Sequence, residues 1–215
     1  MKAGILLVED HQIVREGLAA LLEKQPDLKV VGQAADGRTA VRLARELRPA
    51  VVVMDISLPD LNGIDATRQI LEENPGVKVI GLSVHADRLF VKGMLQAGAS
   101  GYLLKYSASQ ELIQAIQLVL AGRIYLSPEI AGVVVEDYTY PAPDGSPFAV
   151  LTLREREVLQ LLAEGKSPRE IADSLHLALK TVEGYRRHIM EKLGFTSLAD
   201  LVKYAIREGL TSLES

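Results

Sequence analysis

Val51-Val52-Val53-Met54-Asp55 is the segment that most clearly indicates the fold of the first half of this 215-residue chain. Four apolar residues, three of them β-branched, are typical of a strand buried on both faces of a parallel sheet. Pro59 and Asn62-Gly63 then turn the chain. A lone Asp more often simply ends a strand, but the carboxyl end of a parallel strand is where open α/β sheets hold their ligands. Asp55 is therefore the first candidate for a reactive group.

Four more strand-like segments flank this one in the sequence, and apolar residues at helical spacing follow each of them. They are predicted near residues 4–8, 29–34, 77–83 and 101–104. Five strand–helix units in alternation predict class α/β and a flavodoxin-like, doubly wound (βα)5 parallel sheet with strand order 2-1-3-4-5. This first domain is predicted to cover residues 1–121.

In that strand order the carboxyl ends of strands one, three, four and five meet at one edge of the sheet. Those ends carry Glu9 and Asp10, then Asp55, Ser83 and Lys105. Clustered carboxylates repel one another in a dry site, and a hard cation relieves the repulsion. We therefore expect Mg²⁺ as the cofactor, with Asp10 and Asp55 as direct ligands and Glu9 holding a metal-bound water.

An Asp carboxylate in such a site can accept a phosphoryl group and form an aspartyl phosphate. Asp55 is the predicted acceptor, and the backbone carbonyl of Ser57 is a further predicted metal ligand. Lys105 would offset charge on the transferred group, and the Ser83 hydroxyl would donate a hydrogen bond to one of its oxygens. The predicted chemistry is therefore phosphoryl transfer to the protein itself.

Four stretches of the first domain resemble the receiver domain of bacterial two-component response regulators. They are Val8-Glu9-Asp10-His11, Met54-Asp55 with Leu58–Gly63, Leu82-Ser83, and Ala97–Lys105. The resemblance implies that a sensor histidine kinase phosphorylates Asp55, and that Ser83 and Tyr102 rearrange when it does. Tyr102 is equally compatible with an ordinary edge-strand aromatic. Tyr106 stands where the family often has proline, so the geometry of the Lys105–Tyr106 bond stays open.

Residues 122–147 differ in composition from the segments before them. Ser127-Pro128 is predicted to begin a short helix over residues 129–134, and a run rich in proline follows it. Such a composition is typical of a fairly extended and partly stiff linker. We therefore predict a linker at residues 122–147 and a second domain at residues 148–215.

The second domain is predicted to be all-α, with four helices. Thr152 and Ser167 each begin a capping-box pattern, which marks the start of a helix. A short helix, a three-residue connection and a longer helix from Lys180 is helix-turn-helix geometry. Residues 180–192 hold four basic and two acidic side chains, a local excess that the net charge of −4 conceals.

This domain resembles the LuxR-type helix-turn-helix of the NarL/FixJ response regulators. The matching stretches are Leu151–Leu159, Gly165-Lys166-Ser167, Glu170-Ile171-Ala172, Lys180-Thr181-Val182-Glu183 and Lys192-Leu193-Gly194. By this resemblance Glu183, Gly184 and Arg187 face base edges in the major groove, and Arg187 is best suited to guanine. The implied phosphate contacts come from Lys166, Ser167, Lys180, Thr181 and Tyr185.

The predicted recognition helix departs from the family in ways that weaken it. Ala178 stands where family members often carry a serine N-cap, and its loss should cost about 1 kcal/mol. Gly184 inside the helix costs about as much again relative to alanine, and Tyr185 replaces a frequent histidine. We expect this helix to be marginal in free protein and to become ordered on DNA. Full protection of residues 179–187 from hydrogen exchange in free protein would contradict this hypothesis.

Together the two resemblances imply a phosphorylation-controlled transcriptional regulator that binds promoter DNA as a homodimer, with RNA polymerase as a further candidate partner. The linker would let the receiver cover the recognition helix until Asp55 is phosphorylated. We expect no enzymatic activity beyond phosphorylation and dephosphorylation of Asp55. The fourth helix of the second domain, with Leu201, Val202 and Ala205, is either a dimer surface or part of the domain core.

Three other classes of protein compete with this prediction. A phosphatase that works through an aspartyl phosphate needs a second Asp two residues after the nucleophile, where this chain has Ser57. A nucleotide-binding switch needs a Gly-x-x-x-x-Gly-Lys-Ser/Thr loop, which the sequence lacks. A protein-interaction module would not show the steep loss of DNA affinity with salt that phosphate contacts produce.

The amino-acid composition limits the kinds of binding site and the cellular compartment that we expect for this protein. The chain has no cysteine, which excludes disulfides and thiolate metal sites and fits a reducing compartment. No apolar run approaches the roughly 20 residues needed to span a bilayer. Met1-Lys2-Ala3-Gly4 leads into a strand-like segment, which is unlike a signal peptide. We therefore expect a cytoplasmic protein with no membrane partner.

Overall fold

A computed structural model describes residues 2–84, 86–139 and 150–211 of the chain. The chain forms two compact units, Met1–Ala142 and Pro143–Ser215. The last part of the predicted linker, from residue 140 onward, lies outside the described residues. Within the described ranges, no helix combines the length and the apolar character that crossing a membrane requires.

The first unit is built on a six-stranded parallel sheet. Its strands are β1 (Ala3–Val8), β2 (Leu28–Ala34), β3 (Val51–Asp55), β4 (Lys78–Ser83), β5 (Gly101–Leu104) and β6 (Tyr125–Leu126). Their order across the sheet is β2-β1-β3-β4-β5-β6, and every adjacent pair is parallel. The predicted flavodoxin-like order 2-1-3-4-5 is therefore confirmed, and a sixth strand is added beside β5.

Helices cover both faces of this sheet. They are α1 (Gln12–Glu23), α2 (Gly37–Leu47), α3 (Gly63–Glu73), α4 (Arg88–Gln96), α5 (Ala108–Leu120) and α6 (Pro128–Thr139). Val51 and Val53 of β3 belong to a core formed with α1 and α5, and the alternate residues Val52 and Met54 are equally buried. A strand with no exposed residue requires cover on both sides, as the apolar run of β3 predicted.

A tight turn after β3 sets the position of Asp55 at the strand end. A Cβ on Gly63 would clash with the carbonyl oxygen of Asp55, so only glycine fits at the start of α3. Asn62 caps α3 by accepting a hydrogen bond from the backbone N–H of Asp65. The turn residues that end the strand in the sequence therefore also hold α3 against the end of β3.

The segment 122–147 contains regular structure in its first part. The hydroxyl of Tyr125 in β6 donates a hydrogen bond to Glu111 of α5 at 2.9 Å. Helix α6 extends to Thr139, beyond the short helix predicted there, and contacts α4, while its Ile130 is fully buried. Strand β6 and helix α6 are therefore part of the first unit, because β6 pairs with β5 and α6 packs against α4. These partners lie elsewhere in the chain, so the composition of residues 122–147 alone does not indicate them.

The second unit contains four helices within its described residues. They are α7 (Leu153–Ala163), α8 (Pro168–Leu175), α9 (Leu179–Leu193) and α10 (Leu198–Arg207). Apolar side chains from all four form one core. His176, in the left-handed conformation with φ of 52°, ends α8 and begins the short connection to α9. This confirms the predicted all-α domain with a helix-turn-helix.

The two capping boxes predicted in this unit are present at the starts of α7 and α8. Thr152 and Ser167 each form a complete capping box, in which the Glu three residues later bonds back to the N-cap backbone. On α10, Leu201 and Ala205 are fully buried in the core and Val202 is half-buried. Of the two roles left open for these residues, Leu201 and Ala205 therefore take the core role.

Candidate functional site

Two acids and a lysine from three strand ends meet at one edge of the sheet. The Lys105 ammonium nitrogen lies 2.8 Å from Oδ2 of Asp55 and 2.8 Å from Oε2 of Glu9. Glu9 and Asp55 are almost completely buried. The parallel register of β1, β3, β4 and β5 produces this arrangement, because it brings their carboxyl ends to the same edge.

The electrostatics of this pocket follow from its burial. Burial raises the pKa of Asp55 to about 7; Lys105 opposes that rise and Glu9 adds to it. Burial disfavours the charged form of Lys105, but the neighbouring Asp55 and Glu9 outweigh it and raise the pKa of this amine. The pocket therefore holds one cation against two crowded carboxyl groups, an imbalance that a second cation would relieve.

Oxygen atoms that suit a hard cation lie in the same place. Ligand atoms of Glu9, Asp10 and His11 all lie within 4.8 Å of one another. Oε2 of Glu9 is buried and has no hydrogen-bond partner in the described part of the chain, although it is at ion-pair distance from Lys105. The backbone N–H of Ser57 donates to Oδ1 of Asp55 at 3.2 Å. Carboxylate oxygens are the ligands that a hard divalent cation prefers, so these residues fit one.

Two residues beside the acids were not predicted as part of the site. Nδ1 of His11 lies 2.8 Å from Oδ1 of Asp10, and this hydrogen bond raises the pKa of the imidazole. The guanidinium of Arg15 donates to the backbone carbonyl of Glu9 at 2.6 Å and to that of Asp10 at 3.2 Å. The position of His11 next to Asp10 is a usable sequence signal, whereas Arg15 reaches back from α1 and has no such signal.

Ser83 and Tyr102 are both buried, and their side chains are hydrogen-bonded to each other. Burial raises the pKa of the Tyr102 hydroxyl above its ordinary value. Because β6 pairs with β5, Tyr102 does not lie on an edge strand. The described peptide bonds are all trans, including the one between Lys105 and Tyr106, and the Tyr106 hydroxyl contacts Glu129 of α6.

In the second unit, most of the predicted DNA contacts lie on exposed surface. Lys180, Thr181, Glu183 and Arg187 of α9 are exposed, and Lys166 and Ser167 are exposed at the start of α8. A Cβ added at Gly184 would meet nothing within 4 Å. Tyr185 differs from the others, since it is half-buried and packs against the core of the unit.

The basic face of α9 is smaller than the sequence indicates. Lys192 makes an ion pair with Glu155 of α7 at 2.7 Å, so it joins two helices of the same unit. Burial disfavours the Glu155 carboxylate, but Lys192 and Thr152 outweigh it and lower the pKa. At the other end of α9, Ala178 is the N-cap and offers no side-chain hydrogen bond, as predicted.

A parallel α/β unit with an acid–lysine pocket, followed by a helix-turn-helix unit, defines the class of two-component response regulators. The family model for the response regulator receiver domain matches residues 5–117. The model for bacterial regulatory proteins of the luxR family matches residues 149–205. The chain belongs to the NarL/FixJ-type response regulators, and it is a phosphorylation-controlled, DNA-binding regulator of transcription.

Curated relatives match the chain along almost all of its length. Response regulator GacA of Pseudomonas aeruginosa is 39% identical over 211 residues, which are 98% of this chain and 99% of that protein. Response regulator UvrY of Escherichia coli strain K12 is 38% identical over 212 residues, 99% of this chain and 97% of that one. A structure of two RcsB dimers bound to two parallel DNAs is 25% identical, covers 97% of this chain and 99% of that one, and has a TM-score of 0.61.

Proposed function

We propose that Asp55 accepts a phosphoryl group from a sensor histidine kinase. The observation that carries this proposal is the position of a buried carboxylate at the end of β3, with the Lys105 ammonium 2.8 Å away. Lys105 offsets negative charge on the incoming group, and Ser83 at the end of β4 offers a hydroxyl to one of its oxygens. The chemistry is confined to phosphorylation and dephosphorylation of the chain itself, without turnover of another substrate.

We propose Mg²⁺ as the cofactor, held by Glu9, Asp10, Asp55 and the backbone carbonyl of Ser57. When bound, the ion supplies positive charge to the carboxylates and to the phosphoryl oxygens. The crowding of the Glu9 and Asp55 carboxyl groups around the single Lys105 ammonium supports this assignment, because a second cation would relieve it.

The hydrogen bond between Ser83 and Tyr102 suggests how phosphorylation changes the unit. A Ser83 hydroxyl that turns toward a phosphoryl oxygen has to give up its bond to Tyr102. Tyr102 then loses a partner while it remains buried, which is unfavourable unless the ring moves or finds another partner. We propose that this exchange is the switch within the first unit.

In the second unit, we propose that α9 enters the major groove of promoter DNA, with Glu183, Gly184 and Arg187 at base edges. The phosphate contacts come from Lys166, Ser167, Lys180, Thr181 and Tyr185. Tyr185 makes its contact only at the rim of its half-buried ring. The protein binds as a homodimer, as the RcsB dimers on DNA support, and RNA polymerase is a further proposed partner. We place this activity in the cytoplasm.

Selection of DNA sites from a random pool tests the whole proposal. Wild type and Asp55→Ala are compared with and without a small-molecule phosphodonor, in Mg²⁺ and at two salt concentrations. Asp27→Ala is the matched control, because it removes an exposed carboxylate from the same unit. We expect the donor to strengthen binding by wild type and by the control but not by Asp55→Ala, and affinity to fall steeply with salt. A donor effect that persists in Asp55→Ala would contradict the assignment of the acceptor.

A further inference from the structure

Two opposite charges stand one helical turn apart on the exposed face of α9. Glu183 and Arg187 are both exposed, and neither side chain makes a hydrogen bond or an ion pair within the described part of the chain. Elsewhere in the unit, Arg154 and Glu157 show how charges at helical spacing do pair here, at 2.5 Å. Both ends of the Glu183–Arg187 pair are therefore available to a partner outside the chain.

A carboxylate on a surface that faces DNA has few favourable contacts there. DNA phosphates repel Glu183, so its presence is unfavourable unless a base offers it a hydrogen-bond donor. In the major groove the donors are the amino groups of cytosine and adenine. Adenine places the N7 acceptor beside its amino group, which repels a carboxylate, whereas cytosine presents only a donor. The geometry of base edges thus favours cytosine for Glu183.

The same face supplies the group that recognises guanine. Arg187 carries two parallel donors that match O6 and N7 of guanine. Arg187 lies four positions after Glu183, about 6 Å along the helix axis, and successive base pairs are about 3.4 Å apart. The two side chains therefore reach bases no more than about two steps apart.

The backbone between these two residues permits a close approach to the groove. Gly184 has no side chain, and the space that a Cβ would occupy is empty. A helix without a side chain at this point can lie deeper against base edges, which brings the short side chain of Glu183 within reach. The closer approach that Gly184 permits can therefore offset the roughly 1 kcal/mol by which glycine destabilises a helix.

We propose that Glu183 and Arg187 together read a cytosine and a guanine, at most two base-pair steps apart, in each half-site. This inference rests on the proposed function, since it requires α9 to lie in the major groove. It makes Glu183 a residue that determines specificity and does little for overall affinity. Loss of its negative charge should leave non-specific binding unchanged or slightly stronger.

The test is site selection with the full-length protein, the phosphodonor and a random DNA duplex pool. Wild type should enrich sites with that cytosine and guanine, and replacing the cytosine should weaken binding at least about 5-fold. Glu183→Gln should move the preference from cytosine to adenine, because an amide pairs with N6 and N7 of adenine. Glu191→Gln is the matched control: it removes the same charge two turns further along α9 and should leave the preference unchanged.

The outcomes separate this inference from the proposal on which it rests. If phosphorylated wild type enriches no DNA sequence, the proposed function fails and this inference fails with it. If wild type enriches a site but Glu183→Gln keeps the same base preference, or Glu191→Gln changes it, only the inference is overturned. Arg187→Met should keep the cytosine preference and lose the guanine preference, since a thioether has no donor for O6 and N7 of guanine. Circular dichroism of each variant checks that α9 has folded.

Discussion

Replacement of Asp55 by asparagine tests the electrostatics of the acid–lysine pocket in protein stripped of divalent cations. Burial raises the pKa of the Asp55 carboxyl to about 7 in the folded protein, from an ordinary value of 3.8. Between those two values the folded state holds a proton that the unfolded state has released. The free energy of unfolding of the wild type therefore falls as pH rises through this window, and it is highest below the unfolded pKa.

The size of this loss of stability follows from the difference between the folded and unfolded pKa values of Asp55. Roughly three pKa units, each worth about 1.4 kcal/mol, give a loss of about 4 kcal/mol between about pH 4 and about pH 8. Asparagine has the same shape as aspartate and cannot ionise, so the Asp55→Asn variant should lack this loss. We expect the variant to be more stable than wild type at about pH 8, and the difference to shrink toward zero near pH 4.

Urea unfolding followed by circular dichroism, in a chelating buffer at several pH values, measures the difference between the two proteins. Contributions from the second unit are the same in both and cancel. Asp27→Asn makes the same chemical change at an exposed position and should show no such pH-dependent difference. Added Mg²⁺ should stabilise wild type relative to Asp55→Asn, because a cation favours the ionised carboxylate. If the wild type instead gains stability relative to Asp55→Asn as pH rises in the chelating buffer, burial does not raise the pKa of Asp55.

Four further substitutions probe local features of the structure, each by the urea midpoint. Lys105→Met should destabilise the first unit by about 3–5 kcal/mol at about pH 8, where Asp55 is ionised, because it leaves two buried carboxylates without a counter-charge. An unchanged midpoint would contradict the ion pairs of Lys105 with Glu9 and Asp55. Ala178→Ser should stabilise the second unit by about 1 kcal/mol, because serine can cap the start of α9. Gly184→Ala should stabilise it by about as much, because the added Cβ meets no other atom. Loss of stability in both variants would argue against a helix that starts at Leu179. Arg154→Ala should destabilise that unit by about 2 kcal/mol, since Arg154 donates to the Leu175 carbonyl at 2.7 Å and ties α7 to α8; a change under about 0.5 kcal/mol would make this contact a surface one.

The acid–lysine pocket was accessible from sequence because a parallel sheet obeys a simple rule. Once the strands ending at Asp55 and Lys105 are recognised and ordered, their carboxyl ends share an edge, and their side chains become neighbours. Arg15 escaped this reasoning because it lies on a helix and acts on backbone carbonyls, which carry no sequence signal. The bond between Ser83 and Tyr102 escaped it too, since hydroxyls on adjacent strands have several possible partners.

Features whose causes lie within a few residues of one another could be predicted from the sequence. The buried run of β3, the capping boxes at Thr152 and Ser167 and the uncapped start of α9 at Ala178 are of this kind, because strand burial, N-caps and turns depend on local spacing. Alternation of strands and helices then sufficed to predict the strand order.

The surface that each ambiguous side chain contacts depends on how distant elements pack together. By sequence Lys192 belongs to the basic face of α9, but in the structure its ammonium pairs with Glu155 of α7 at 2.7 Å. Leu201 fits a dimer surface or a core equally well by periodicity, and only the packing of α10 buries it. The apolar residues of β6 and α6 likewise depended on β5 and α4. In each case the partner lies on another element of the fold, and helical or strand spacing says which way a side chain points but not what it meets there.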